Sequence, residues 1–399
     1  MTLSRREFAA LGLAAAASGC RYLPLPGDRI VLPAGSDAGT LNALAMAKGM
    51  RFGSCLGTGP SGAPQQPGVT AGRANQFDDP ALRALFVEQC GVLVPENELK
   101  WYSIRKTPET FDFSRADRLA DFATETGLAM RGHTLLWHHP QWFPAWVATY
   151  DFGSRPATEA ERLLTEHIRR VCARYPQIFA WDVVNETIDH DTGEMRQTVF
   201  TKYLGDQVID IAFRTAREAM PRCQLVYNDY MSWGARNEKH RAGVLRLLER
   251  LKKNGVPIDA MGVQSHIGPG ATEVAAAFDA EDQRSWCAFL DEATGMGLDL
   301  VITEFDVGDQ TMEADVTARD AEVAKLAHDY LGLMLSYRQL RYVMAWGLVD
   351  KYSWLRERWP RADGLLKRPL PYDDDYQPKP LRDAVADAFR AAPERAWLA

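Results

Sequence analysis

Short apolar or β-branched runs recur along this chain, and the stretches between them carry helical periodicity. The runs are RFGSCLG (51–57), GVLVPEN (91–97), AMRGHTLLW (129–137), AWDVVNE (180–186), QLVYNDY (224–230), AMGVQSHI (260–267), LDLVITEFDV (298–307) and YVMAWGLVD (342–350). Each is short enough for a buried strand and is bounded by turn residues. Between them, DDPALRALFVEQC, SRADRLADFATETG, ATEAERLLTEHIRRVCARYP and GDQVIDIAFRTAREAMP read as helices, with Asp or Ser near their starts and Gly or Pro after their ends. Strands that alternate with helices pair in parallel through right-handed crossovers. Eight such units, without a glycine-rich phosphate loop after the first strand, predict a single α/β domain closed as a (β/α)8 TIM barrel.

The polar residues of these runs gather at their C-terminal ends: Glu96 and Asn97, His133 and Trp137, Asn185 and Glu186, Asn228 and Asp229, Gln264 and His266, Glu304 and Asp306, Trp346. A strand that only had to pack would not end in carboxylates and amides, and barrels of this kind carry their chemistry at that rim. Glu186 ends the fourth run and Glu304 lies in the seventh, so the two face each other across the expected mouth.

Two opposed carboxylates suffice to split a glycosidic bond, one donating a proton to the leaving oxygen and the other acting as nucleophile or base. The donor must stay neutral and the other charged, so their environments must push the two pKa values apart. His266 and Asp306 form the expected tuning set for Glu304, with the imidazole donating to the carboxylate and Asp306 orienting the ring. Asn185 supplies an amide beside Glu186. No HxH or HExxH spacing suggests a metal, and a reaction of this type needs no metal or organic cofactor.

Composition changes the picture at two points. A net charge of −7 and the lack of a basic stripe argue against a nucleic-acid partner and suit an uncharged polymer. The eleven Trp and thirteen Tyr include faces on which sugar rings could stack. The first twenty residues read as an export signal of the twin-arginine type, with Arg5 and Arg6 ahead of an apolar run too short to span a bilayer. They end in AASGC, which resembles a lipobox; Cys20 would then be lipidated and hold the protein to a membrane, whereas simple cleavage would release it. Residues 21–45 read as a linker or N-terminal extension, and 46–399 as the catalytic barrel. Of six cysteines none has CxxC spacing, and small buried hydrophobes are the default reading, with a Cys55–Cys90 disulfide conceivable in an oxidising compartment.

The series KGMRFG, ENELKW, RGHTLLWH, WDVVNE, YNDY, QSHI, ITEFDV and WGLVDKYSW, in this order from about residue 48 to 390, resembles the endo-β-1,4-xylanases of glycoside hydrolase family 10. The resemblance implies the same barrel and an endo-acting, retaining hydrolysis of xylan or xylo-oligosaccharides, with Glu186 as acid/base and Glu304 as nucleophile. It implies that Glu96, Asn97 and Lys100 bind sugar on the non-reducing side. His133, Trp137, Asn185, Gln264 and Trp346 would surround the reacting residue, and Trp354 would close over it. His266 and Asp306 would hold Glu304, and Tyr230 would border the leaving-group side. A monomer exported across a bacterial inner membrane is expected. The chain departs from the family pattern at Met231, where Asn is common, and in YQPKPLRDAV, which only partly matches YQPKPAY. The residues alone leave other readings open: a β-glycanase acting on cellulose or mixed-linkage glucan, a non-catalytic glycan-binding lipoprotein, or a metal-dependent barrel hydrolase.

Overall fold

The structure is a computed structural model that describes residues 39–59, 75–271 and 277–396. The expected export signal, Cys20 and most of the expected linker lie outside the described residues. The last part of that linker is helical: Thr40 caps a helix over Leu41–Met46, whose Leu41 and Ala45 are buried. LNALAM is apolar on one face, and Thr40 Oγ1 accepts from Ala43 N at 3.4 Å, which closes the first turn.

Nine strands follow in chain order: β1 Arg51–Leu56, β2 Val92–Pro95, β3 Ala129–Trp137, β4 Ala180–Asn185, β5 Gln224–Asp229, β6 Ala260–Val263, β7 His266–Ile267, β8 Asp299–Val307 and β9 Leu340–Ala345. All pairings are parallel, and β1 through β6, β8 and β9 close into an eight-stranded barrel through the β6–β8 and β9–β1 pairs. The two-residue β7 pairs only with β8, placing His266 opposite Asp306. Every strand foreseen in the sequence is present, and the fold is the expected (β/α)8 barrel.

The long helices pack outside, several starting from an Asp side chain, as at Asp79, Asp279 and Asp315. Strand residues divide between two cores. Leu300 and Ile302 of β8 join the layer beneath the helices, whereas Val301 packs inside the barrel with Val226 and Ala260. Strict alternation would send Glu304 outward beside Ile302. The register shifts between Ile302 and Phe305, so Phe305 returns to the helix side and Thr303 and Glu304 both reach the mouth. A similar shift between Asp182 and Val184 in β4 turns Asn185 inward. Cys55, Cys90, Cys172 and Cys223 are buried and Cys287 is half-buried, all as thiols, so no Cys55–Cys90 disulfide forms.

Candidate active site

Each polar strand end contributes to one buried cluster at the C-terminal mouth of the barrel. On β8, Glu304 Oε1 accepts from Asn228 Nδ2 at 2.8 Å, while its Oε2 lies 3.3 Å from His266 Nε2. His266 Nδ1 lies 2.9 Å from Asp306 Oδ1, and Trp354 Nε1 donates to Asp306 Oδ2 at 2.7 Å. Burial alone would lift the Glu304 carboxyl, but His133, the hydrogen bond and charge of His266, and Lys100 outweigh it and hold the pKa down to about 2. For His266 burial disfavours the charge; Asp306 and Glu304 reverse this and lift the imidazole to about 10, so it stays an imidazolium.

Glu186 follows β4 directly, its backbone in the left-handed region at φ +54°. Such a conformation costs a non-glycine residue about 1–3 kcal/mol and is held here by Glu186 N donating to Asn228 O at 2.9 Å. Its Oε1 accepts from Gln264 Nε2 at 2.9 Å and its Oε2 from Trp137 Nε1 at 2.9 Å. Burial raises this carboxyl above its ordinary value, and the charges of Asp229 and Glu304 raise it further against the two hydrogen bonds. One carboxylate of the pair is thus held charged and the other pushed toward neutrality.

A chain of amides links them. Asn228 Nδ2 donates to Asn185 Oδ1 at 2.9 Å as well as to Glu304, and Gln264 Nε2 lies 3.4 Å from the same Asn185 oxygen while donating to Glu186. With its own amide turned over, Asn185 accepts instead from Trp137 Nε1 at 3.2 Å. Asn228 is itself fixed by Thr303 Oγ1, which donates to its Oδ1 at 2.6 Å. A Cβ on Gly262 would lie 2.6 Å from that oxygen, so β6 carries glycine where the amide needs the room.

The remaining expected residues line the same mouth. Lys100 Nζ donates to Asn97 Oδ1 at 3.1 Å and sits 4.5 Å from the Trp137 ring and 5.9 Å from that of Trp346. Glu96 Oε2 accepts from Gln76 Nε2 at 2.9 Å. His133 Nδ1 lies 2.9 Å from Asp182 Oδ2, and its ring meets Trp346 edge to face at 5.3 Å. On the far side Arg196 donates to the Tyr230 hydroxyl at 2.6 Å, to Asp189 at 2.9 Å and to the Glu186 carbonyl at 3.2 Å. Asn228, Asp182, Gln76 and Arg196 were not among the expected site residues. Asn228 stood in view as a polar strand end in QLVYNDY and Asp182 inside WDVVNE; Gln76 and Arg196 support neighbours and lie outside the motifs. Among the described residues no group of three or more His, Cys, Asp or Glu is arranged to hold a metal ion.

Comparison with known proteins decides the family. The profile of Glycosyl hydrolase family 10 matches residues 61–388. The chain belongs to glycosyl hydrolase family 10. Among relatives, it is 30% identical over 303 residues to "Endo-1,4-beta-xylanase 1" of Gibberella zeae, covering 75% of this chain and 81% of that one. It is 32% identical over 300 residues to "Endo-1,4-beta-xylanase B" of Paenibacillus barcinonensis, covering 71% and 84%. The crystal structure of native xylanase 10B from Thermotoga maritima superimposes with a TM-score of 0.73 at 26% identity, covering 88% of this chain and 98% of that one. The family 10 barrel accounts for the mouth on which these side chains converge.

Proposed function

We propose that this family 10 enzyme is an endo-β-1,4-xylanase that cleaves internal bonds of xylan and xylo-oligosaccharides with retention, by double displacement. The observation that carries the reading is the electrostatic division between the two glutamates: Glu304 is kept ionised by His266, while burial keeps Glu186 protonated toward higher pH. In the first step Glu304 attacks the anomeric carbon and Glu186 gives its proton to the departing oxygen. Loss of that proton leaves Glu186 ionised, and it then draws a proton from the water that displaces Glu304. Glu96, Asn97 and Lys100 hold the sugar on the non-reducing side, and Trp137, Trp346 and Trp354 offer ring faces around the reacting residue.

A time course on xylohexaose followed by NMR tests substrate, endo action and stereochemistry together. Internal cuts giving β-anomers first support the proposal; α-anomers first, or faster turnover of mixed-linkage glucan than of xylan, would overturn it. We further read residues 1–20 as the export signal and the protein as a monomer, attached to a membrane through Cys20; fractionation of cells carrying Cys20→Ser tests that attachment.

A further inference from the structure

The loop after β9 is crowded with cations, and all but one are engaged. Arg356 pairs with Asp374 at 2.9 Å, Arg361 with Asp363 at 2.6 Å and Arg368 with Asp320 at 2.7 Å. Lys367 is buried and donates to the carbonyls of Gly270 at 2.9 Å and Arg358 at 3.1 Å. Arg358 has no carboxylate within ion-pair distance among the described residues. Its guanidinium lies instead 4.4 Å from the Trp359 ring and 5.6 Å from that of Trp354, whose indole also holds Asp306. Because Trp354 donates to Asp306, which in turn holds His266 beside Glu304, the guanidinium stands at the edge of the same mouth. Arg196, the other guanidinium there, is already paired with Asp189.

The backbone that presents Arg358 is built for the purpose. Lys367 clamps its carbonyl, and Gln310 Nε2 donates to the carbonyls of Trp359 at 3.0 Å and Pro360 at 3.2 Å. Trp359 is held in the left-handed region at φ +52° and is 37% exposed, an unusual combination for a large aromatic. Packing alone accounts for neither the strain nor the exposure. A half-buried guanidinium held near two indoles and without a carboxylate partner keeps a fork of donors whose shape matches a carboxylate with two parallel hydrogen bonds.

We propose that Arg358 and Trp359 form a specificity subsite for an acidic sugar, a uronic-acid substituent carried by the xylan chain where it crosses the mouth beside Trp354. The Trp359 face stacks on the sugar ring, and Arg358 takes its carboxylate. The inference rests on the xylanase reading above, and linear xylohexaose keeps the two separable. If no variant and no wild-type sample cleaves xylohexaose, it is the xylanase reading that fails.

The test compares kcat/KM on glucuronoxylan, on the same polymer after chemical reduction of its carboxyl groups, and on xylohexaose. For Arg358→Gln the ratio of glucuronoxylan to xylohexaose falls about tenfold, the size of one charge-assisted hydrogen bond, and Arg358→Lys restores part of it. The wild type shows the same drop when the carboxyls are reduced, with the difference shrinking as salt is added. An equal loss on all three substrates, or no change on any, would overturn the subsite. Should Arg358→Gln fold poorly, the wild-type comparison of native and carboxyl-reduced polymer still decides: equal rates would refute it.

Discussion

His266 and Glu304 form a buried ion pair with Nε2 and Oε2 3.3 Å apart, and Asp306 on the other ring nitrogen completes a three-member charge array. The array has one net negative charge, which Glu304 carries at the barrel mouth. Replacing His266 by Asn removes a hydrogen bond and a charge that help hold the carboxyl near 2, leaving only His133 and Lys100 to oppose burial, so its pKa should rise. The wild type should keep its kcat/KM on xylohexaose as pH falls until it nears 2. In the variant the acid limb should move to higher pH, which a pH–rate profile will show. An unmoved limb would mean that His266 does not tune Glu304.

The same pair makes stability depend on pH in a window that can be named. Glu304 has a depressed pKa, so its contribution is full above 4.5 and is lost as pH falls toward about 2. His266 has a raised pKa, so its contribution is full below 6.5 and is lost as pH rises toward about 10. Both are complete only between 4.5 and 6.5. The unfolding free energy of the wild type relative to a Glu304→Gln/His266→Gln double variant should be largest and flat across that interval, as urea titrations at several pH values will show.

In the proposed mechanism Glu186 gives its proton in the first step, so activity on xylan should fall as pH rises through its elevated pKa. A dinitrophenyl xylobioside, whose leaving group needs no proton, should lack that basic limb for glycosylation. Glu186→Ala should lose several orders of magnitude on xylan, still form the glycosyl-enzyme from the activated substrate, and turn over faster with added azide. Asp229→Asn removes a negative charge that lifts Glu186, so its basic limb should shift to lower pH. A limb unmoved in Asp229→Asn would assign the elevation to burial and Glu304 without Asp229.

How much of the fold and site is legible in the sequence depends on which signals are local. A strand that ends in a carboxylate or amide announces itself, so the eight strands and their rim residues can be read from the apolar runs and the polar residues that close them. The register shifts in β4 and β8 cannot, because they depend on partner strands and reverse the alternation that a single run displays. Asn185, expected beside Glu186, also forms the centre of the amide chain between the glutamates, a role set by Asn228 and Gln264 on other strands. Arg358 and Trp359 lie in a loop without periodicity, where only the pairing of neighbouring cations reveals the unpaired one.

Asn228 gives the sharpest check on that amide chain. Its Nδ2 reaches both Glu304 and Asn185, and its Oδ1 is satisfied by Thr303, so the side chain has one orientation. Asn228→Ala removes a hydrogen bond to a charged group and should lower kcat/KM about ten- to a hundredfold. Asn228→Asp keeps the shape but sets a second carboxylate against Glu304, whose pKa should rise. Its acid limb should therefore move up relative to Asn228→Ala; coincident profiles would show that the amide acts only by filling space.

The loop that brings Trp354 over the mouth is anchored by a buried pair, Asp350 and Lys379, with Nζ 2.9 Å from Oδ2. Burial lifts the Asp350 carboxyl to about 6 despite Lys379, so desolvation outweighs attraction at this site. A carboxyl whose folded pKa is raised weighs against folding once it is ionised, above pH about 6. Lys379→Met leaves that charge uncompensated and should cost about 3–5 kcal/mol at pH 7. The loss should be smaller at pH 5 than at pH 7: without Lys379 the Asp350 carboxyl is lifted further, so above about 6, where the wild type ionises beside Lys379, the variant must keep a proton or bury an unpaired charge. Adding Asp350→Leu should recover most of it, because two well-packed apolar side chains can replace a buried ion pair with little loss. Urea unfolding of the single and double variants at pH 5 and pH 7 separates these contributions. A double variant no more stable than Lys379→Met would show that the pair holds the loop through its hydrogen bonds to Leu370 N and the Arg368 carbonyl rather than through its charge.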